Sequence, residues 1–212
     1  YDLKNYQRAY DLYSKLQTVA TLDENKREVQ IGLMRTAFFL KKYQESLDNI
    51  VKVAALPNLP EFYKAEMAYY KGMSLFNLNN KDDKAMKELE YVTKNVNSEL
   101  AAESKYTIAK IYYIKANKKQ AEKECNDYLD KFPSYEYYLG KTFILLSDIY
   151  QYDKKILQAK ATLQNLLDNY TKEDDVRAEA QQKLDILLKN ELSGSKLKLQ
   201  DNGTQMQFEG GK

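Results

Sequence analysis

Small and apolar residues recur along the chain at an almost constant spacing. Five small residues lie 36 to 39 positions apart, and further apolar residues follow each of them four and seven positions later. The small residues are Ala9, Ser46, Ala85, Ala121 and Ala159. Between them the apolar positions recur at steps of three and four, the period of an amphipathic helix. A repeat of this length is typical of stacked helical hairpins.

The pattern predicts helices joined by short loops. Strands would need apolar residues at every second position and turn pairs such as Asn-Gly, and neither occurs before the last segment of the chain. We therefore predict an all-α fold. The predicted helices cover roughly residues 4–19, 24–40, 43–56, 60–78, 82–96, 98–115, 118–131, 135–152, 155–170 and 174–190.

These helices predict one repeat domain and a tail. Residues 1–190 would form a solenoid that begins in a truncated repeat at 1–20 and ends in a capping helix at 174–190, whose polar residues suit the open end of an array. Its complete units lie near 24–57, 60–97, 98–133 and 135–171. The chain starts inside a repeat and without Met, so we expect it to be the C-terminal part of a longer protein. Residues 191–212 contain Gly and Ser and are predicted to be a polar tail.

The residues at fixed positions in each unit resemble the tetratricopeptide-repeat (TPR) family. The third unit carries the family's pattern of large apolar residues around two small ones at Ile108, Ala109, Tyr112, Ala121, Cys125, Tyr128 and Pro133. The fourth unit matches as well, whereas the first departs because Met34 occupies a small-residue position. The resemblance implies a right-handed α-α superhelix of about four to five TPR-like hairpins with a C-terminal capping helix.

The long spacing points to one branch of that family. Units of 36 to 39 residues exceed the usual length of about 34, and the segment AAESKYTIAKIYYIKANKKQAEKE is similar to bacterial envelope members. These include outer-membrane assembly lipoproteins, Tol-Pal coordinators and periplasmic TPR proteins of Bacteroidetes. The resemblance implies a location in the periplasm or cell envelope, with the cytoplasm as the alternative.

The resemblance also implies a binding surface, because in this family the first helix of each hairpin lines the concave groove. Tyrosine rings combine an apolar body with a polar tip and are common interface anchors. The groove residues expected to bind a protein or peptide partner are Arg35, Tyr69, Met73, Glu103, Tyr106, Lys110, Tyr113, Lys141 and Asp148. Some of these rings could instead pack between neighbouring helices.

Composition argues against catalysis and nucleic-acid binding. The chain has 33 basic and 31 acidic residues, a net charge of +2, and no histidine, so it lacks a basic excess and the commonest general base and metal ligand. Cys125 lies at a core position and is interpreted as a structural thiol. No apolar run approaches the roughly 20 residues of a membrane span. We predict no enzyme activity, cofactor, metal site or membrane span.

Two acidic pairs are the remaining candidates for cation binding. Asp82-Asp83 and Asp174-Asp175 each stand at a predicted helix start. Carboxylates are favoured there by the helix dipole and by unpaired amide groups. We therefore interpret both pairs as helix caps.

The sequence favours a non-enzymatic scaffold that holds an extended or helical segment of another envelope protein in its groove. A purely structural spacer within a larger repeat protein is one alternative, in which the groove stays empty. A cell-wall or glycan-binding module, with tyrosines stacked on sugars, is the other.

Overall fold

Helices account for all the regular structure of the described residues. The computed structural model describes residues 3–57, 59–79 and 82–203, and no strand occurs among them. The helices are α1 Leu3–Val19, α2 Asp23–Phe39, α3 Tyr43–Ala54, α4 Glu61–Leu78, α5 Asp83–Asn95, α6 Glu99–Ile114, α7 Lys118–Lys131, α8 Glu136–Tyr152, α9 Ile156–Asn169 and α10 Asp175–Gly203. The predicted all-α fold is confirmed, and α1 to α9 differ from their predicted ends by two residues or fewer.

The helices fall into two compact units, with the division between Tyr135 and Glu136. In the first unit, α2 with α3, α4 with α5 and α6 with α7 form hairpins, and α1 packs on α2. The first helices of these hairpins are neighbours, because α4 contacts both α2 and α6. In the second unit α8 and α9 form a hairpin, and α10 contacts both.

Small residues of the repeat let the two helices of a hairpin pack closely. A Cβ atom added to Gly72 on α4 would lie 2.7 Å from Leu89 Cγ and 3.2 Å from the carbonyl oxygen of Ala85 on α5. The next hairpin places Ala109 and Cys125 at the positions of Gly72 and Leu89. A larger residue on one helix is thus matched by a smaller residue on the other, as dense interior packing requires.

Three hairpins share one type of turn. Lys41, Ala116 and Lys154 have φ angles of 60°, 62° and 61° and follow α2, α6 and α8, respectively. In the second of these turns the backbone N–H of Asn117 donates to the carbonyl of Tyr112 at 2.9 Å, the long bond of a Schellman motif. This turn keeps the loops to three residues and positions the two helices side by side.

The second unit has a core built from all three of its helices. Ile144 of α8, Leu163 of α9 and Val176 of α10 are buried in one cluster, which Ala180 and Leu184 extend along α10. The last helix therefore contributes an apolar face to the core as well as the polar surface expected of a cap.

The last helix is longer than the sequence predicted. It continues to Gly203 instead of ending near residue 190, so much of the expected 191–212 tail is helical. Ser193 and Gly194 weaken a helix by only about 1 kcal/mol each or less. The Leu, Lys and Gln residues that follow are good helix formers. The rest of the predicted tail lies outside the described residues.

Candidate protein-binding surface

The predicted site residues of the first unit lie on α2, α4 and α6, the first helices of its hairpins. We call the surface formed by these three helices the first-helix face. Arg35 comes from α2, Tyr69 and Met73 from α4, and Glu103, Tyr106, Lys110 and Tyr113 from α6. Because the three helices are neighbours, side chains about 34 residues apart in sequence meet across the face.

An ion pair joins the first two helices of this face. The Arg35 guanidinium donates two hydrogen bonds to the Glu66 carboxylate, from Nε at 2.5 Å and from Nη2 at 2.7 Å. Glu66 is buried, and the hydrogen bonds it accepts raise the pKa of Arg35. A bidentate pair of this kind fixes the orientation of both side chains. Arg35 therefore links α2 to α4.

Two further predicted residues, Tyr69 and Met73, are buried between helices. The Tyr69 hydroxyl donates to the Glu103 carboxylate at 2.5 Å, which joins α4 to α6. The Thr107 hydroxyl lies 3.7 Å from the Met73 sulfur. These side chains stabilise the packing of the repeat. For Tyr69 the structure agrees with the alternative that rings pack between helices.

The C-terminal part of the same face carries a different arrangement. The Lys110 ammonium lies 5.9 Å from the centre of the Phe76 ring and 6.0 Å from that of Tyr106. Tyr113, one turn further along α6, is also partly exposed, and the Lys118 ammonium lies over its ring at 3.1 Å. We call Phe76, Tyr106, Lys110 and Tyr113 the aromatic–lysine patch. Lys110 takes part in none of the ion pairs found among the described residues.

The two predicted residues of the second unit hold its last helix. Lys141 of α8 binds Asp175 at 2.7 Å and Glu179 at 3.0 Å, both on α10. Asp148 of α8 accepts from Lys183 of α10 at 2.7 Å. Burial alone would lower the pKa of Lys141, but its hydrogen bonds to the two carboxylates raise it. The Lys141 ammonium also lowers the pKa of Asp175.

The predicted site did not include the ion-pair partners of Arg35, Lys141 and Asp148. These partners are Glu66, Asp175 and Lys183. The sequence does contain a signal for them, because each has the opposite charge to a groove residue 31 to 35 positions away. Once neighbouring first helices are placed side by side, such a spacing brings the two charges together. The expected groove is therefore divided into residues that join helices and residues that remain accessible.

The first aspartate of each acidic pair caps a helix, whereas the second forms an ion pair with a lysine outside its own helix. The Asp82 carboxylate accepts from the backbone N–H of Lys84 at 2.7 Å, and the Asp174 carboxylate accepts from that of Val176 at 3.0 Å. Within residues 3–57, 59–79 and 82–203, no group of three or more acidic or Cys side chains is arranged to hold a metal ion. Burial raises the pKa of the Cys125 thiol, which disfavours its reactive thiolate form.

No helix in the described part of the chain is both long enough and apolar enough to span a membrane.

Solved structures with similar folds identify the architecture. A crystal structure of MamA aligns with a TM-score of 0.56 at 16% identity, covering 91% of this chain and 92% of that one. BtubC (BKLC) from P. vanneervenii aligns with a TM-score of 0.66 at 12% identity, covering 99% and 93%. TTC0263, a thermophilic TPR protein in Thermus thermophilus, aligns with a TM-score of 0.54 at 17% identity, covering 86% and 92%. The fold is that of the TPR proteins.

Sequence comparisons add no closer relationship. No protein-family model matches the chain, and no curated protein matches it. At identities of 12–17% the solved structures establish the shared TPR fold. Function therefore has to be argued from the surface of this chain.

Proposed function

We propose that this TPR-fold chain is a non-enzymatic scaffold that binds a segment of a partner protein at the aromatic–lysine patch. The observation that carries the proposal is the position of Lys110. Its ammonium pairs with no carboxylate among the described residues and lies between two partly exposed aromatic rings. A cation held beside aromatic rings is a prepared site for an acidic group next to an apolar one.

The patch favours a partner segment of defined chemistry. An Asp or Glu side chain, or a C-terminal carboxylate, would form a charge-assisted hydrogen bond with Lys110. A neighbouring apolar residue would pack on Phe76 and Tyr113, whose burial supplies affinity.

A second candidate function is a structural spacer. It is favoured by the hydrogen bonds and ion pairs that predicted groove residues make with neighbouring helices. These residues are Arg35, Tyr69, Lys141 and Asp148. Helices whose polar side chains are largely bonded to neighbouring helices can set distances within an array without binding a partner. The two candidates differ in one testable point, namely whether anything binds at Lys110.

A capture experiment separates the two functions. The variant Lys110→Glu with Tyr106→Ala reverses the charge of the patch and removes one ring, whereas the control Lys119→Glu reverses an exposed lysine of α7. Tagged parent and variants would be used to capture proteins from extract of the source organism, with helicity checked by circular dichroism. A protein enriched by parent and control but lost from the patch variant supports the scaffold. Identical capture by all three supports the spacer.

We further infer that the chain works in the bacterial cell envelope. The support is the resemblance of its long repeats to envelope TPR proteins, together with the segment AAESKYTIAKIYYIKANKKQAEKE. Fractionation of the source organism, followed by immunoblotting against this chain, tests the location. Recovery with periplasmic or envelope markers agrees with the inference, and recovery with cytoplasmic markers contradicts it.

A further inference from the structure

The first unit has a second candidate binding surface, which is separate from the aromatic–lysine patch. A cleft of about 830 Å³ lies between α3, α4 and α5 and shares no residue with the patch. Apolar residues from α3 and α4 form one side and the floor, among them Ile50, Val51, Met67 and Leu75. The other side is α5, which contributes Lys84 and Lys87. The α3 side is thus apolar, and α4 adds Lys64 and Lys71 beside its apolar residues. The α5 side carries two lysines against the single carboxylate of Glu88.

The charge around the cleft is strongly unbalanced. Four lysines but only one carboxylate, that of Glu88, line it. Lys71 pairs with Glu88 at 2.6 Å, and Lys64 pairs with Glu61 at 2.7 Å. Lys84 and Lys87, three residues apart and exposed, take part in no ion pair found among the described residues. The basic wall is therefore available to an acidic ligand.

The corresponding place in the next hairpin is occupied by a lysine side chain. Lys105 of α6 stands at the position of Ala68 when the hairpins are aligned on Gly72 and Ala109. Its side chain is only 8% exposed and pairs with Glu124 and Asp127 of α7. The wall residue that corresponds to Val51 is Glu90. The residues that line the cleft in the second hairpin are thus not repeated in the third, so the cleft does not follow from the repeat itself.

We propose that this cleft binds an amphipathic, acidic α-helix of a partner protein. The apolar side of such a helix would cover Ile50, Val51 and the floor, and its carboxylates would face Lys84 and Lys87. Val51 is 70% exposed, so covering it would remove apolar surface from water, which favours binding. Helices commonly bind in apolar grooves through residues spaced by three and four positions.

The asymmetry of the walls favours a helix over an anionic lipid. A fatty acid carries its single carboxylate at one end of an apolar chain. It would leave most of a basic wall facing hydrocarbon, which is unfavourable for a charged group. A helix with one apolar and one acidic face matches both walls along its length, which is electrostatic as well as apolar complementarity.

The test is a binding titration with a designed probe. The probe is a fluorescent peptide of about four helical turns, with Leu at helical spacing and Glu along one flank; a second peptide has Lys in place of Glu. Fluorescence anisotropy at low salt would give dissociation constants for the parent, for Lys84→Glu with Lys87→Glu, and for Val51→Glu. We expect saturable binding of the Glu peptide only, weakened about tenfold or more by either variant.

Matched controls keep the test specific. Lys119→Glu with Lys123→Glu reverses two exposed lysines of α7, and Val19→Glu changes a valine of α1 that is equally exposed, at 69%. These controls, and Lys110→Glu in the aromatic–lysine patch, should leave binding of the probe unchanged. Equal loss in the controls, no saturable binding, or binding of a fluorescent fatty acid without binding of the peptide would each overturn the proposal. Failure here leaves the proposed role of Lys110 standing, because the two sites share no residue.

Discussion

The second and third hairpins carry a carboxylate at the same position and use it differently. Glu88 and Glu124 each pair with a lysine from the first helix of their own hairpin. In the third hairpin Lys105 is 8% exposed, whereas in the second hairpin Lys71 is 44% exposed. Lys105 stands where the second hairpin has Ala68, and Ile108 stands where it has Lys71. A few substitutions in a repeat thus separate a filled interior from an open cleft.

The comparison shows how a repeat acquires a site without changing its fold. Both hairpins keep the small residues that bring their helices together, so the backbone arrangement is preserved. The side chains between these fixed points are free to vary in size and charge. The energies of the two ion pairs should therefore differ in a way that can be measured.

The largest expected effect follows from breaking the buried ion pair. Lys105→Met would leave Glu124 without its cation in a mostly buried place, so the free energy of unfolding should fall by about 3 kcal/mol. Lys71→Met removes an exposed pair and should cost about 1 kcal/mol or less. Urea unfolding followed by circular dichroism measures both. Equal losses of unfolding free energy would show that burial does not make the Lys105 pair more important for stability than the Lys71 pair.

A second prediction concerns the close approach of helices within the hairpins. Gly72→Ala alone should cost about 1–3 kcal/mol because the new methyl group meets Leu89. The third hairpin combines Ala109 with Cys125 at these positions. The cost of Gly72→Ala should therefore largely disappear when Leu89→Cys is also present. A double-mutant cycle of unfolding free energies tests this, and additive changes would refute the compensation.

A smaller effect is expected at the turns. Ala116 and Lys41 have φ angles of 62° and 60°, a conformation that costs a non-glycine residue about 1 kcal/mol or more. Ala116→Gly should raise the free energy of unfolding by about 0.5 kcal/mol, since relief of strain is partly offset by the greater freedom of glycine in the unfolded chain. The exposed residue Asn126, within helix α7, is a control at which glycine should destabilise instead. Destabilisation at both positions would contradict the strain argument.

The smallest effect is expected for the ion pairs of the second unit. Lys141 lowers the pKa of Asp175, so the stabilisation is present above the ordinary pKa of an aspartate and is lost as the pH falls through the lowered value. Asp175 is 60% exposed, so solvent screening keeps the effect small. Lys141→Met should flatten the decline of the unfolding free energy of the chain between pH of about 5 and 2. An unchanged pH profile would mean that this pair contributes nothing to stability.

The helices were predicted well because each repeat gives independent evidence for where its helices begin and end. Ala85 and Ala121 give the register of two hairpins independently, and the ends of α7 were predicted to the residue. The end of α10 was missed, since no repeat follows to show where the helix stops. Local composition alone made Gly194 look like a stronger break than it is.

The candidate site was harder to predict because it depends on pairs of side chains from different helices. Lys110 and Arg35 occupy equivalent positions of the repeat, and both were predicted to bind a partner. Only the structure, in which α4 lies beside α2, shows that the Arg35 guanidinium is already bonded to Glu66. The cleft was missed entirely, because the sequence alone does not show that Ala68 leaves open the space that the Lys105 side chain occupies in the next hairpin.

The most direct test of the central claim is site-specific photo-crosslinking at the aromatic–lysine patch. A benzoylphenylalanine placed at Tyr113 keeps an aromatic ring in the patch, and the same group at Lys119 on α7 serves as the control. Irradiation in cells of the source organism should give an adduct with a discrete protein from position 113 only. That adduct should disappear when Lys110→Glu is added. No adduct, or the same adducts from both positions, would contradict the claim that this face binds a partner.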